Sequence, residues 1–277
     1  MRKDIEKERF ENKFYEMLRL QRENLKEIEV GEKYFGRQAI LRIFEELRLL
    51  YFLTKDHLES WNKTAVGKIA AKPLDYRSKE ITEIAYIFLF YGAENVMDKS
   101  KSLRFGYSSD FLVSCGTQII TLRNELRRHE RINKSYTGTL FKITNYPNIL
   151  TEQGSKLAHY FRHLFQAVTY VTTYKGLSLS EKERYSYLKI LRAQLSNHEQ
   201  SLLYFNAFHK QGKYWFSQGF FTKWKMIKNI PFYLHDFGVP PEEKLSEEIK
   251  KKEGIENEEV IQMRLTEILD GMIVDVI

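Results

Sequence analysis

The chain is 277 residues long, 43% hydrophobic and 29% charged, with only 5 prolines and 14 glycines. That composition supplies a packed core and argues against a loop-rich β-sandwich or a disordered chain, while a lone cysteine, Cys115, excludes both a disulfide framework and a zinc site built on paired thiolates. The net charge of +7 is uneven: residues 241–277 hold 5 basic and 11 acidic side chains, leaving 39 and 26 in residues 1–240, a net +13.

Phe10, Phe14, Met17, Leu18, Leu25 and Ile28 recur at helical spacing and predict an N-terminal helix, punctuated at its end by Gly31 and Gly36. A second helix follows on the stripe Ile40, Ile43, Phe44, Leu47, Leu50 and Tyr51. The polar stretch from Thr64 to Arg77, with Gly67 and Pro73, reads as a connection. Ser78 is placed to cap a third helix, apolar nearly all round from Ile84 to Tyr91, as a central buried helix should be. This run is the longest apolar one, far short of the ~20 residues that cross a bilayer. The opening MRKDIEKERFENKF has no apolar stretch, so no secretory signal or membrane contact is expected and the expected setting is the cytosol.

Residues 98–109 read as a loop. Ser108, Ser109 or Asp110 then starts a fourth helix through Phe111, Ile119, Leu122 and Leu126 to about Arg131. Residues 133–154 are the least helical, with a short strand pair around Leu140 to Ile143. The helical pattern returns from Ser155 with Leu157, Tyr160, Phe161, Leu164, Phe165 and Val168. Ser180 and Glu183 form a capping box before a helix carrying Tyr187, Leu188, Leu191 and Leu195. An apolar run from Leu202 to Phe205 follows, and Trp215, Phe216, Phe220, Phe221 and Trp224 read as another packed helix. Pro240 and Pro241 mark a boundary. The expected architecture is all-α: a single multi-helix domain over residues 1–240 and a short charged C-terminal tail over 241–277, ending in a helix from Val260 to Met272.

There is no glycine-rich phosphate loop, no GxSxG elbow, no HExxH pair and no metal-ligand spacing, so neither a metal nor another cofactor is expected. The segments YFRHLFQAVTYV and YLKILRAQLSNHEQSLLYFNAF are different in kind. They set Arg162, His163, Arg192, Gln194, Ser196, His198, Glu199 and Asn206 within otherwise apolar helices, where polar groups are paired or functional because unpaired burial is costly. Arg192 and Glu199 are spaced to share one helix face, and an ion pair with another helix is the plain account of them. Gln194 and Asn206 have a plain account as well, in satisfying backbone groups at helix crossings, and His163 as a hydrogen-bonded core histidine.

These segments, with FENKFYEMLRLQREN near the N-terminus, GRQAI at Gly36 to Ile40 and AYIFLFYGAENV at Ala85 to Val96, resemble the putative phage abortive infection family, AbiC-like, over residues 10–230. The resemblance implies a bacterial phage-defence protein, and it makes Tyr160, Arg162, His163, Arg192, Gln194, Ser196, Glu199 and Asn206 family-motif candidates. Many members carry membrane-spanning helices before the first matched segment, and none is expected here.

A second candidate lies in TLRNELRRHER, where Arg123, Asn124 and His129 resemble the arginine–polar–histidine signature of the HEPN ribonucleases, which are all-α and dimeric. That resemblance implies a homodimer with the Arg and His of facing subunits in one cleft. The His would act as acid or base on a ribose hydroxyl, the Arg would stabilise phosphate charge, and no metal would be needed. The same spacing recurs at Arg192 and His198, so spacing alone does not single out Arg123. A solvated helix end is the plainer account of Arg123 and His129. Tyr214, Trp215, Phe216, Phe220, Phe221 and Trp224, among Lys213, Lys223, Lys225 and Lys228, serve either base stacking or core packing. Two functions stand on this reading. One is an antiphage effector, a toxin cleaving RNA without a metal after phage sensing. The other is a non-enzymatic sensor or scaffold binding a phage or host protein.

Overall fold

Helix α3 (Ser78–Tyr91) is the axis of the fold. Every residue from Ile84 to Phe90 is buried, and a helix apolar on all sides must be surrounded. In the computed structural model, which describes residues 2–66, 73–100 and 105–269, α3 packs on α2 (Arg37–Val66), α6 (Gly154–Thr173) and α8 (Asn197–Asn206). Helix α1 (Arg2–Lys26) lies along α6 and buries Phe10 and Phe14 completely, with Tyr187 of α7 (Glu181–Arg192) edge-on to both rings. Helix α4 (Ala93–Lys99) packs on α5 (Ser109–Leu126). The expected all-α class holds. Among the described residues the only sheets are two antiparallel hairpins, β1 (Glu29–Val30) with β2 (Tyr34–Phe35), and β3 (Arg131–Tyr136) with β4 (Thr139–Thr144).

Several boundaries differ from the sequence reading, each for a local reason. The fourth helix stops at Leu126 rather than near Arg131, because Arg131 opens β3. Thr137 and Gly138 both have positive φ, the turn geometry that closes a two-residue hairpin loop. The strand pair is therefore longer than Leu140 to Ile143. Ser108 does cap α5, accepting a hydrogen bond from the Phe111 amide at 3.3 Å. Ser78 is not the cap of α3: the Glu80 carboxylate reaches back to the Arg77 amide at 3.0 Å, and Ser78 is already helical. Helix α2 runs past Thr64 to Val66, while Gly67 lies outside the described residues. Residues 93–99, partly read as loop, form α4.

The expected helix around Trp215 is only α9 (Tyr214–Ser217), followed by turns. Trp215, Phe216, Phe220, Phe221 and Trp224 are buried, so they are core. The acidic tail folds as two helices rather than one, α10 (Pro241–Glu253) and α11 (Glu258–Leu269). Leu245, Ile249, Ile261, Leu265, Ile268 and Leu269 join the main core, and Lys225 binds Glu267 at 2.8 Å. Met272 lies outside the described residues.

Candidate functional site

The polar residues of the two apolar segments meet others from distant parts of the chain at a buried junction. Helix α7 ends at Arg192 and α8 begins after Ser196, so Arg192 and Glu199 do not share a helix face as their spacing suggested. Ser196 and Glu199 instead form the capping box of α8, with Glu199 accepting from the Ser196 amide at 2.8 Å. Glu199 is buried, and its other oxygen accepts the Tyr160 hydroxyl of α6. Burial and that carboxylate hold the Tyr160 phenol well above its ordinary value. The ion-pair partner comes from another helix: Arg37 of α2, whose Nε lies 3.5 Å from Glu199. Arg37 also donates to the Gln194 carbonyl at 2.8 Å. One turn along α6, His163 lies 2.9 Å from the Gln21 side-chain oxygen of α1, and burial lowers its pKa. Arg192 donates to the Lys225 carbonyl, tying α7 to the loop after α9. His198 packs edge-on to Phe44. Gln21 and Arg37 belong to the first two short segments quoted above, so residues far apart in sequence share this junction.

Beside the junction lies an open cleft of about 380 Å³ lined by Phe90, Ala158, Phe161, Arg162, Phe165, Asn206, Gln211, Tyr214 and Trp215. Its floor is buried: Phe90, Phe161, Trp215 and Asn206. Asn206 donates to the Tyr86 hydroxyl at 2.7 Å, which fixes its amide. Gly212 is required here, because a Cβ would fall 2.1 Å from the Asn206 carbonyl oxygen. The rim is exposed: Arg162, Gln211 and Tyr214. Arg162 is thus not a buried helix charge, since it faces solvent, and among the described residues no carboxylate pairs with it. Behind the floor, His209 is buried against the rings of Tyr86 and Phe90, and burial depresses its pKa to about 4. Sequence reasoning missed His209, Gln211 and the placement of Phe90. They follow the end of α8 or lie on another helix, and no spacing signals their convergence.

Arg123 and His129 have different environments. Arg123 is buried, forks onto Glu94 of α4 and reaches the Leu150 carbonyl at 3.4 Å. The Arg123 guanidinium holds the Glu94 carboxyl below its ordinary value. Arg123 and Arg127 line a cavity of about 200 Å³ with Asn145, Tyr146, Asn148 and Thr151, a set that does not include His129. Asn124 is exposed and accepts from Arg127 at 3.4 Å. His129 is exposed in the turn after α5, its amide bonded to the Leu126 carbonyl at 3.1 Å. Within one chain nothing brings Arg123 and His129 into contact.

A third cleft, of about 230 Å³, separates α2 from the β3–β4 hairpin and is lined in part by Arg42, Arg48, Lys142 and Glu46. Glu46 is buried, accepts the Tyr146 hydroxyl at 2.6 Å and, among the described residues, has no cation bonded to it. Burial pushes its pKa up to about 7. Arg48 is engaged by Asp236 at 2.6 and 3.1 Å. Among the described residues there is no group of three or more His, Cys, Asp or Glu placed to hold a metal, and no helix is long and apolar enough to cross a membrane.

Fold and cleft together define an all-α protein with a concavity of about 380 Å³ lined, Phe90 apart, by its second half. Residues 152–234, which carry the α6–α9 face of that concavity, match the family model described as putative phage abortive infection protein. The resemblance read from the sequence therefore stands over this segment, and it supports a role in antiphage defence. No curated protein and no solved structure matches the chain.

Proposed function

We propose that the protein serves antiphage defence as a sensor, and that the cleft between α6 and α9 receives the signal. One observation carries this reading. The matched segment places an unpaired guanidinium, Arg162, and two amides, Asn206 and Gln211, over an aromatic floor, while no carboxylate, histidine or cysteine lines the cleft. Such a surface is equipped to bind a ligand. The competing reading is a ribonuclease acting on RNA as a homodimer. It rests on Arg123 and His129, and Arg123 is engaged by Glu94 in the chain as folded.

One phage-plating experiment separates the two. Arg162→Ala combined with Gln211→Ala changes exposed side chains, so melting stays at the parent value. Under the sensing reading, protection falls at least tenfold in plating efficiency, and His129→Ala protects as the parent does. Full protection by the cleft variant together with loss in His129→Ala reverses the conclusion.

A further inference from the structure

The chemistry of the cleft narrows what it takes. Phe90, Phe161, Phe165 and Trp215 form ring-lined walls, with Phe165 and Trp215 edge to face at 5.5 Å. Tyr214 stands at the rim, 50% exposed, so its ring is open to a partner. Rings of this kind favour a flat, unsaturated ligand. Asn206 and Gln211 add amide donors and acceptors, the groups that read the edge of a heterocycle. Asn206 has its amide nitrogen committed to Tyr86, and no hydrogen bond within the described residues uses its side-chain oxygen. That oxygen is available to accept from a ring amine. Gln211 is exposed, with no side-chain partner among the described residues.

The charge of the lining is one-sided. Arg162 is its sole formal charge. Lys213 stands beside the rim, its Nζ over the Tyr214 ring at 5.5 Å from the centroid. An arginine without a carboxylate partner at the mouth of an apolar cleft matches a phosphate, which its planar fork binds in two places. The volume of about 380 Å³ is at the small end of ligand pockets, the size for one nucleotide rather than a strand or a folded partner.

We infer that this cleft binds a single nucleotide, the base against the aromatic floor and the amides, the phosphate on Arg162. The inference rests on the sensing role proposed above for the same cleft, and it specifies the ligand as a nucleoside phosphate.

The test is calorimetric titration of the full chain with the four nucleoside 5′-monophosphates, the four nucleosides and inorganic phosphate. At least one monophosphate binds, its nucleoside binds at least tenfold more weakly, and phosphate alone does not compete at equal concentration. Arg162→Ala lowers affinity for the monophosphate at least tenfold and leaves nucleoside binding unchanged; Arg162→Lys restores part of the loss. Tyr214→Ala weakens nucleotide and nucleoside by the same factor. Three results overturn the inference: no heat from any nucleotide at millimolar concentration, equal affinity for nucleotide and nucleoside, or equal competition by phosphate, which would leave a bare anion site. Failure of the sensing role is read separately. If nucleotide binds and depends on Arg162 while plating efficiency does not, the ligand assignment stands and the defence role of the cleft falls.

Discussion

Glu199 and Glu46 are both buried carboxylates, and each accepts a tyrosine hydroxyl, from Tyr160 and Tyr146 respectively. Their surroundings differ in what else they supply. Glu199 has the Ser196 amide at 2.8 Å and the Arg37 guanidinium at 3.5 Å. Glu46 has a long contact to the Gln153 amide at 3.5 Å and, among the described residues, no bonded cation, and burial pushes its pKa up to about 7. The two buried carboxylates therefore differ in the polar groups packed against them.

The comparison breaks most severely at Glu199. Glu199→Ala strands the Tyr160 hydroxyl and the Ser196 amide and removes the carboxylate half of the α8 capping box, so we expect a loss of about 3 kcal/mol in chemical denaturation at pH 7. Glu199→Gln keeps the acceptor oxygen and should cost roughly a third of that.

The next effect is at Glu46 and has the opposite sign. Its carboxyl holds a proton more tightly in the folded chain than in the unfolded one. Between its ordinary range, near 4.5, and about 7 the folded state therefore binds more protons. The associated stability is present at low pH and is lost as pH rises through 7. Glu46→Gln should be near neutral at pH 5 and stabilise by up to ~3 kcal/mol at pH 8. A flat difference between variant and parent across that range would show that Glu46 does not titrate there.

Arg37→Met sharpens the comparison by making Glu199 resemble Glu46. The Arg37 side chain is 62% exposed, so the pair is screened and the loss at pH 7 should be about 1 kcal/mol. The informative readout is denaturation at low and high salt, where the difference from the parent shrinks as salt screens the pair. The smallest effect belongs to His129→Ala, which changes an exposed turn residue and should stay within about 0.5 kcal/mol of the parent in thermal melting.

Much of the helical framework was legible because it is written in local spacing. The stripe from Ile40 to Tyr51 and the Ser180–Glu183 box lie where the pattern placed them. The break between α7 and α8 was equally local: Ser196 followed three residues later by Glu199 is the same capping signal, masked by the continuous apolar run around it. The hairpin over 131–144 was half seen, since its first strand has no fully buried residue and hides behind basic side chains. The site was less legible for a different reason. Arg123 meets Glu94, Glu199 meets Arg37 and Asn206 meets Tyr86 only through tertiary packing, and residue type does not report such distances. Arg162 shows the same limit in reverse: its neighbours in sequence are apolar, yet it points to solvent.

Cys115 lies on α5, fully buried against α2, with its sulfur 3.8 Å from the Thr54 hydroxyl, and burial pushes its thiol up to about 12. At pH 8 the native chain therefore holds almost no thiolate there, and a thiol-reactive dye has neither a nucleophile nor a path to it. Because the sequence contains no second cysteine, each dye molecule attached records one separation of α5 from α2. Labelling speed is then a clock for how often the centre of the molecule breathes, readable on the unmodified sequence with or without a nucleotide present.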